Sequence, residues 1–214
     1  GPDAEVFTKA PAMSAVGHLA EAGIRADSSW NNPEPEVALV AASSGTIVGA
    51  ALGNDVNLRD FEGRSALLLG KAKDNNASAT LGPFIRLFDQ GFSLDDVRGA
   101  EIRLTVDGPE GFHLEGASAM GRISRDPADL MAATIGANHQ YPDGVVLYLG
   151  TMFAPVEDRD TPGQGFTHKV GDIVTIASPK LGRLQNAIVY SADAEPWTFG
   201  TAALMRNLAK RKLI

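Results

Sequence analysis

The sequence predicts a strand-rich α+β domain, and three observations point there. Glycine (23) and proline (12) punctuate the whole length, so most apolar runs are short and bounded by turn residues. Segments with helical character are few. No repeat, low-complexity tract or linker composition divides the chain, so its 214 residues, 44% of them apolar, are expected to form one domain that can bury a pocket.

Taken in order, the apolar runs 36–40, 46–50, 102–106, 145–149, 173–176 and 186–190 read as strands. Ser43-Ser44-Gly45 suits a hairpin turn, which would set the strand carrying Glu36 beside the one ending at Asp55. Helices are expected from Ser65 to about Lys71, over 126–135 with an Asp126 cap and Pro127 in the first turn, and from Thr201 to about Lys210. Lys210-Arg211-Lys212 complements the C-terminal dipole of the last.

Composition removes several function classes. A formal charge of −7 without a long basic block argues against a nucleic-acid partner. The absence of cysteine excludes disulfide frameworks, thiolate zinc sites and cysteine nucleophiles. The first residues lack a basic start followed by an apolar stretch, and no run reaches the 18 or more apolar residues of a membrane span; a soluble, cytoplasmic protein is the expectation. Gly63 to Lys71 has six residues between its glycines, where a phosphate loop has four. Gly116 to Gly121 is not a nucleophile elbow. His18, His113, His139 and His168 form no i,i+4 pair that would face one metal, and each reads as structural or solvated.

One constellation does carry chemistry. Glu34 and Glu36 lie two apart, and in an extended strand such residues share a face. Pro33 and Pro35 restrict the backbone there, while two like charges held together are unfavourable without a cation between them. If the hairpin forms, Asp55 joins them. Three carboxylates completed by water or substrate suit a hard cation, Mg²⁺ or Mn²⁺ before Zn²⁺. Downstream, Lys71 reads as a surface residue, whereas a lysine beside a metal can have a lowered pKa for proton transfer or act as a fixed cation.

These residues resemble the fumarylacetoacetate hydrolase superfamily. Its pattern is a Glu-x-Glu, a Gly-x-Asp-Val-x-x-Arg-Asp segment, and a lysine ten residues ahead of the proline in Leu-Gly-Pro. Here Glu34/Glu36, Gly53 to Asp60, and Lys73 ahead of Pro83 match it. Leu149-Gly150-Thr151 is similar to the family's substrate-carboxylate loop, and Gly171 to Val174 with Leu181 to Asn186 to its closing strands. The resemblance implies a mixed β-sandwich or roll with few short helices. It also implies a homo-dimer or tetramer, and a native N-terminal domain that is not part of this chain.

The gap of nineteen positions from Glu36 to Asp55 is short for the hydrolases, and with the Asp27 to Glu36 lead-in it resembles the branch of 2-keto-3-deoxy sugar-acid dehydratases. Glu62 stands where hydrolysing and decarboxylating members carry Gln. His18-Leu19-Ala20-Glu21 has the spacing of their water-activating His-x-x-Glu pair but reads as a loop, one that still approaches the substrate. The implied reaction is dehydration of a 2-keto-3-deoxy-pentonate to 2,5-dioxopentanoate, with Mg²⁺ on Glu34, Glu36 and Asp55. Lys73 and Glu62 would then serve in proton transfer, Arg59 would orient neighbouring acids, and Gly150, Thr151, Asn76 and His18 would bind substrate. Two alternatives stand beside it: C–C hydrolysis or decarboxylation of an oxo acid at the same metal, and a non-catalytic carboxylate-binding protein.

Overall fold

The computed structural model describes residues 2–214. In chain order the elements are β1 (Glu21–Ile24), β2 (Asn31–Asn32), β3 (Pro35–Ala41), β4 (Ile47–Asp55), β5 (Asn57–Leu58), α1 (Arg59–Glu62), α2 (Leu69–Lys73), β6 (Ala79–Leu87), α3 (Leu94–Arg98), β7 (Glu101–Asp107), β8 (His113–Ala119), α4 (Pro127–Thr134), β9 (Val145–Tyr148), β10 (Ile173–Ser178), β11 (Gly182–Tyr190) and α5 (Thr201–Lys210). The strand-rich α+β expectation holds. None of the helices among the described residues is long and apolar enough to cross a membrane.

Two sheets make the body. One has the order β6-β4-β3-β9, the other β1-β11-β10-β7-β8, and a two-stranded ribbon, β2-β5, lies apart from both. Pairing is antiparallel except for β1 against β11. The sheets meet where β3 faces β7, β4 faces β10 and β6 faces β11. Ile102, Leu104 and Val106 alternate inward along β7, as a strand with one solvated face requires. β3 instead buries nearly every residue, which is why Val37 to Val40 reads as an unbroken apolar run.

The expected hairpin is present. Gly45 turns with φ +81° between β3 and β4, and the register sets Pro35 opposite Asn54 and Glu36 opposite Gly53. Asp126 caps α4 by accepting from Ala128 N at 2.8 Å. The helix expected near Ser65 is a 3-10 turn over Ala66–Leu68 running into α2. β6 was not expected, because Gly82-Pro83 interrupts it; as an edge strand it tolerates the proline's missing donor. β8 escaped because His113-Leu114-Glu115-Gly116-Ala117-Ser118-Ala119 is small and polar, and α1 and α3, at four and five residues, are too short to show a helical period.

Gly53 is needed for a close approach. A Cβ there would stand 2.2 Å from Cε1 of Tyr148, whose hydroxyl donates to Thr80 O at 2.7 Å. Gly53→Ala must therefore push the ring off β4 and is expected to cost about 1–3 kcal/mol by urea unfolding. Gly70→Ala, in α2 with nothing near the added methyl, is expected to stabilise by roughly 0.5–1 kcal/mol. Equal effects at the two sites would remove the steric explanation.

Candidate metal centre

The lead-in to β3 is stitched to the end of β4. Glu34 N donates to Asn54 Oδ1 at 2.9 Å and Asp55 N to Glu34 O at 3.1 Å. Glu34 thereby lies opposite Asp55, just outside the strand, while Glu36 projects from β3 itself. One carboxylate oxygen from each of Glu34, Glu36 and Asp55 lies within 4.8 Å of the other two. Glu36 and Asp55 are buried and Glu34 nearly so.

Buried carboxylates this close repel, and the chain answers with two ammonium groups. Lys73, at the end of α2, donates to Glu34 Oε2 at 2.6 Å and to Asp55 Oδ2 at 3.1 Å. Lys9 is buried as well, its Nζ 2.8 Å from Asp55 Oδ1 and donating to the backbone carbonyls of Val56 and Lys73. Nothing in the sequence singles out Lys9, since a lone lysine is ordinarily solvated. Burial opposes the charge on Lys73, but Asp55 and Glu34 outweigh it and carry its pKa above the usual lysine value. Without an ion, then, Lys73 is a fixed cation rather than a lysine of lowered pKa. At Lys9 burial dominates and lowers the pKa against the pull of Asp55.

Among the described residues no ammonium forms an ion pair with Glu36. Gly150 N donates to its Oε2 at 2.6 Å, yet burial first, then the charges of Asp55 and Glu34, push its carboxyl well above the usual range. The donor set, three carboxylates with no thiolate or imidazole among them, fits a hard divalent cation that Glu34, Glu36 and Asp55 would hold. Among the described residues this is the one cluster of three acidic, histidine or cysteine side chains so arranged.

The other expected site residues divide. Glu62, at the end of α1, accepts from Asn57 Nδ2 at 2.7 Å and lies 4.0 Å from Lys73 Nζ, so it borders the cluster. Gly150 touches the cluster through Glu36, whereas the Thr151 hydroxyl is spent on its own turn, donating to Phe153 O at 2.8 Å. Arg59 stacks on the Trp30 ring at 5.0 Å and makes no described bond to the acids it was expected to orient. Asn76 and His18 are committed elsewhere: Asn76 Nδ2 donates to Ser191 O and Glu195 O, and His18 Nδ1 accepts from Gln185 N on β11. Sequence spacing could not show this, because both lie in turns whose direction tertiary partners decide.

The fold and the carboxylate cluster define a class, and comparison with known proteins agrees with it. The fumarylacetoacetate hydrolase C-terminal profile matches residues 2–189, and the chain belongs to that family. It is 30% identical over 180 residues to the 2-dehydro-3-deoxy-D-arabinonate dehydratase of Saccharolobus solfataricus, covering 84% of this chain and 57% of that protein. To the probable 2-keto-3-deoxyxylonate dehydratase of Haloferax volcanii it is 29% identical over 184 residues, covering 86% and 60% respectively. The chain thus spans well under two thirds of either relative. Among solved structures, 2-keto-3-deoxy-D-arabinonate dehydratase complexed with magnesium and 2,5-dioxopentanoate superimposes with a TM-score of 0.75 at 32% identity, over 87% of this chain and 62% of that one.

Proposed function

We propose that the chain is the catalytic domain of a Mg²⁺-dependent hydro-lyase that dehydrates a 2-keto-3-deoxy-pentonate to 2,5-dioxopentanoate. The observation that carries it is the buried cluster of Glu34, Glu36 and Asp55 with Lys73 on two of its members, in a chain about 30% identical to two proteins named as dehydratases of such acids. Those two names share one chemistry. D-arabinonate and D-xylonate differ only at C2 and C3, and the 2-oxo and 3-deoxy positions erase both stereocentres.

Glu34, Glu36 and Asp55 would hold the ion, which when bound supplies Lewis-acid charge to the substrate's 2-oxo group. The chain's own residues must then move protons at C3 and C4. Lys73, whose ammonium is held by Glu34 and Asp55, would give its proton to the departing C4 hydroxyl, and Glu62, at the rim, would take the C3 proton. Loss of both as water leaves a C3–C4 alkene, and proton shifts finish the aldehyde at C5. The substrate carboxylate is assigned to the Gly150-Thr151 backbone beside Glu36.

Incubation with Mg²⁺ and a 2-keto-3-deoxy-D-pentonate is expected to give an aldehyde product, followed by NMR, and EDTA is expected to stop its formation. Release of pyruvate instead would replace dehydration by C–C cleavage at the same centre.

A further inference from the structure

Between the carboxylate cluster and Glu62 stands Asn57, a residue of β5 that is 1% exposed. Its Nδ2 donates to Glu34 Oε1 at 3.0 Å and to Glu62 Oε2 at 2.7 Å, so both amide hydrogens are spent on carboxylates. Its Oδ1 is buried with no hydrogen-bond partner. The orientation of the amide follows from its surroundings, since the reverse assignment would aim an oxygen at two carboxylates. An unpaired buried carbonyl is costly, and nothing but the two carboxylates uses this side chain.

Glu62 by itself is poorly held. It ends a helix of four residues and its side chain is 41% exposed, with Lys73 only at the limit of an ion pair. Released from Asn57, it has open solvent and several rotamers to occupy. β5 in contrast is tied down by backbone bonds: Asn57 pairs with Asn32 in the ribbon, and Val56 N donates to Ser78 O at 3.1 Å.

We infer that Asn57 is a positioning residue, its amide clamping Glu62 against Glu34 so that the Glu62 carboxylate faces the reacting carbons. The inference rests on the proposed dehydration only for its kinetic consequence. Its geometric content is independent of the reaction.

The test is a double-mutant cycle with a structural arm. Asn57→Ala is expected to lower kcat about tenfold with KM within twofold, and to have a much smaller effect in a Glu62→Ala background, because only the bond to Glu34 then remains to be lost. Asn57→Ser, which keeps one donor, is expected to recover part of the loss and serves if the alanine variant does not fold. In crystals grown with Mg²⁺, Glu62 Oε2 is expected to leave its place in the alanine variant and to be displaced less in the serine variant. A loss of the same size with and without Glu62, a change confined to KM, or a Glu62 that stays put would each overturn the inference. A displaced Glu62 in a protein that forms no aldehyde would sink the dehydratase reading and leave the clamp standing.

Discussion

Mg²⁺ is expected to bind more tightly as pH rises, by up to about tenfold per pH unit, and to stabilise a protein that without it loses stability over the same range. Both follow from Glu36. Its carboxyl is pushed well above the usual carboxylate range by burial and by the charges of Asp55 and Glu34, so the ion-free folded state holds a proton that the unfolded chain releases near pH 4.3. A folded state that binds the extra proton is favoured at low pH, and its advantage disappears as pH climbs towards the raised value. An ion needs the carboxylate bare, so an ion that binds between the ordinary glutamate value and the raised one displaces that proton.

Isothermal titration at a series of pH values rising from the ordinary glutamate range checks the slope. Thermal unfolding with and without the ion checks the stabilisation, which is about 2.7 kcal/mol once Mg²⁺ reaches a hundredfold excess over its Kd. Glu36→Gln is expected to flatten the slope and weaken binding by about a hundredfold, since it removes the ligand and the titrating group together. A wild-type affinity indifferent to pH would mean that no Glu36 proton is displaced, and would overturn the linkage.

How much of this was legible in the sequence depends on the range of each interaction. The triad was, because its geometry is local: a two-residue period, a hairpin turn at Ser43 to Gly45, and an acid at the end of the returning strand. Lys73 and Glu62 were found by resemblance. Lys9 and Asn57 were not, and both act through partners 46 and 23 positions away, Asp55 and Glu34, with no motif to mark them. Arg59, Asn76 and His18 show the converse. Their residue types suit the chemistry, but Trp30, Ser191 and Gln185, respectively, claim their side chains in the fold. Strands with clean alternation, such as β7, were visible, whereas β6 and β8, broken by glycine or proline or built of small residues, depend on neighbours for their strand character.

Asp172→Asn is expected to cost about 3–5 kcal/mol of stability at pH 7 and to loosen the carboxylate site from a distance. Asp172 is completely buried and accepts two bonds from Arg159, at 2.6 and 2.7 Å, with a third from Lys169 N at 3.0 Å; His168 Nδ1 lies 3.0 Å away. Arg159 is itself enclosed, its guanidinium 4.6 Å from the centre of the Phe112 ring. Burial works against the Asp172 charge, but Arg159 and His168 hold its carboxyl down at about 2. Asparagine keeps the shape, yet turns an NH₂ towards Arg159, which can only donate, and leaves that buried cation with Glu110 as its remaining carboxylate.

The sign is fixed by that lowered value: the contribution is complete above the unfolded aspartate pKa near 3.9 and is lost as pH falls towards 2. Urea unfolding at pH 7 and pH 3 therefore distinguishes this ion pair from a packing defect, which would cost the same at both. The same network reaches the site. Thr167 and His168 bond Asn31, the first residue of β2, and β2 pairs with β5, which carries Asn57. A destabilised Asp172 variant is accordingly expected to bind Mg²⁺ severalfold more weakly at a temperature where it is still fully folded. Unchanged affinity would confine the network to holding the loop before β10.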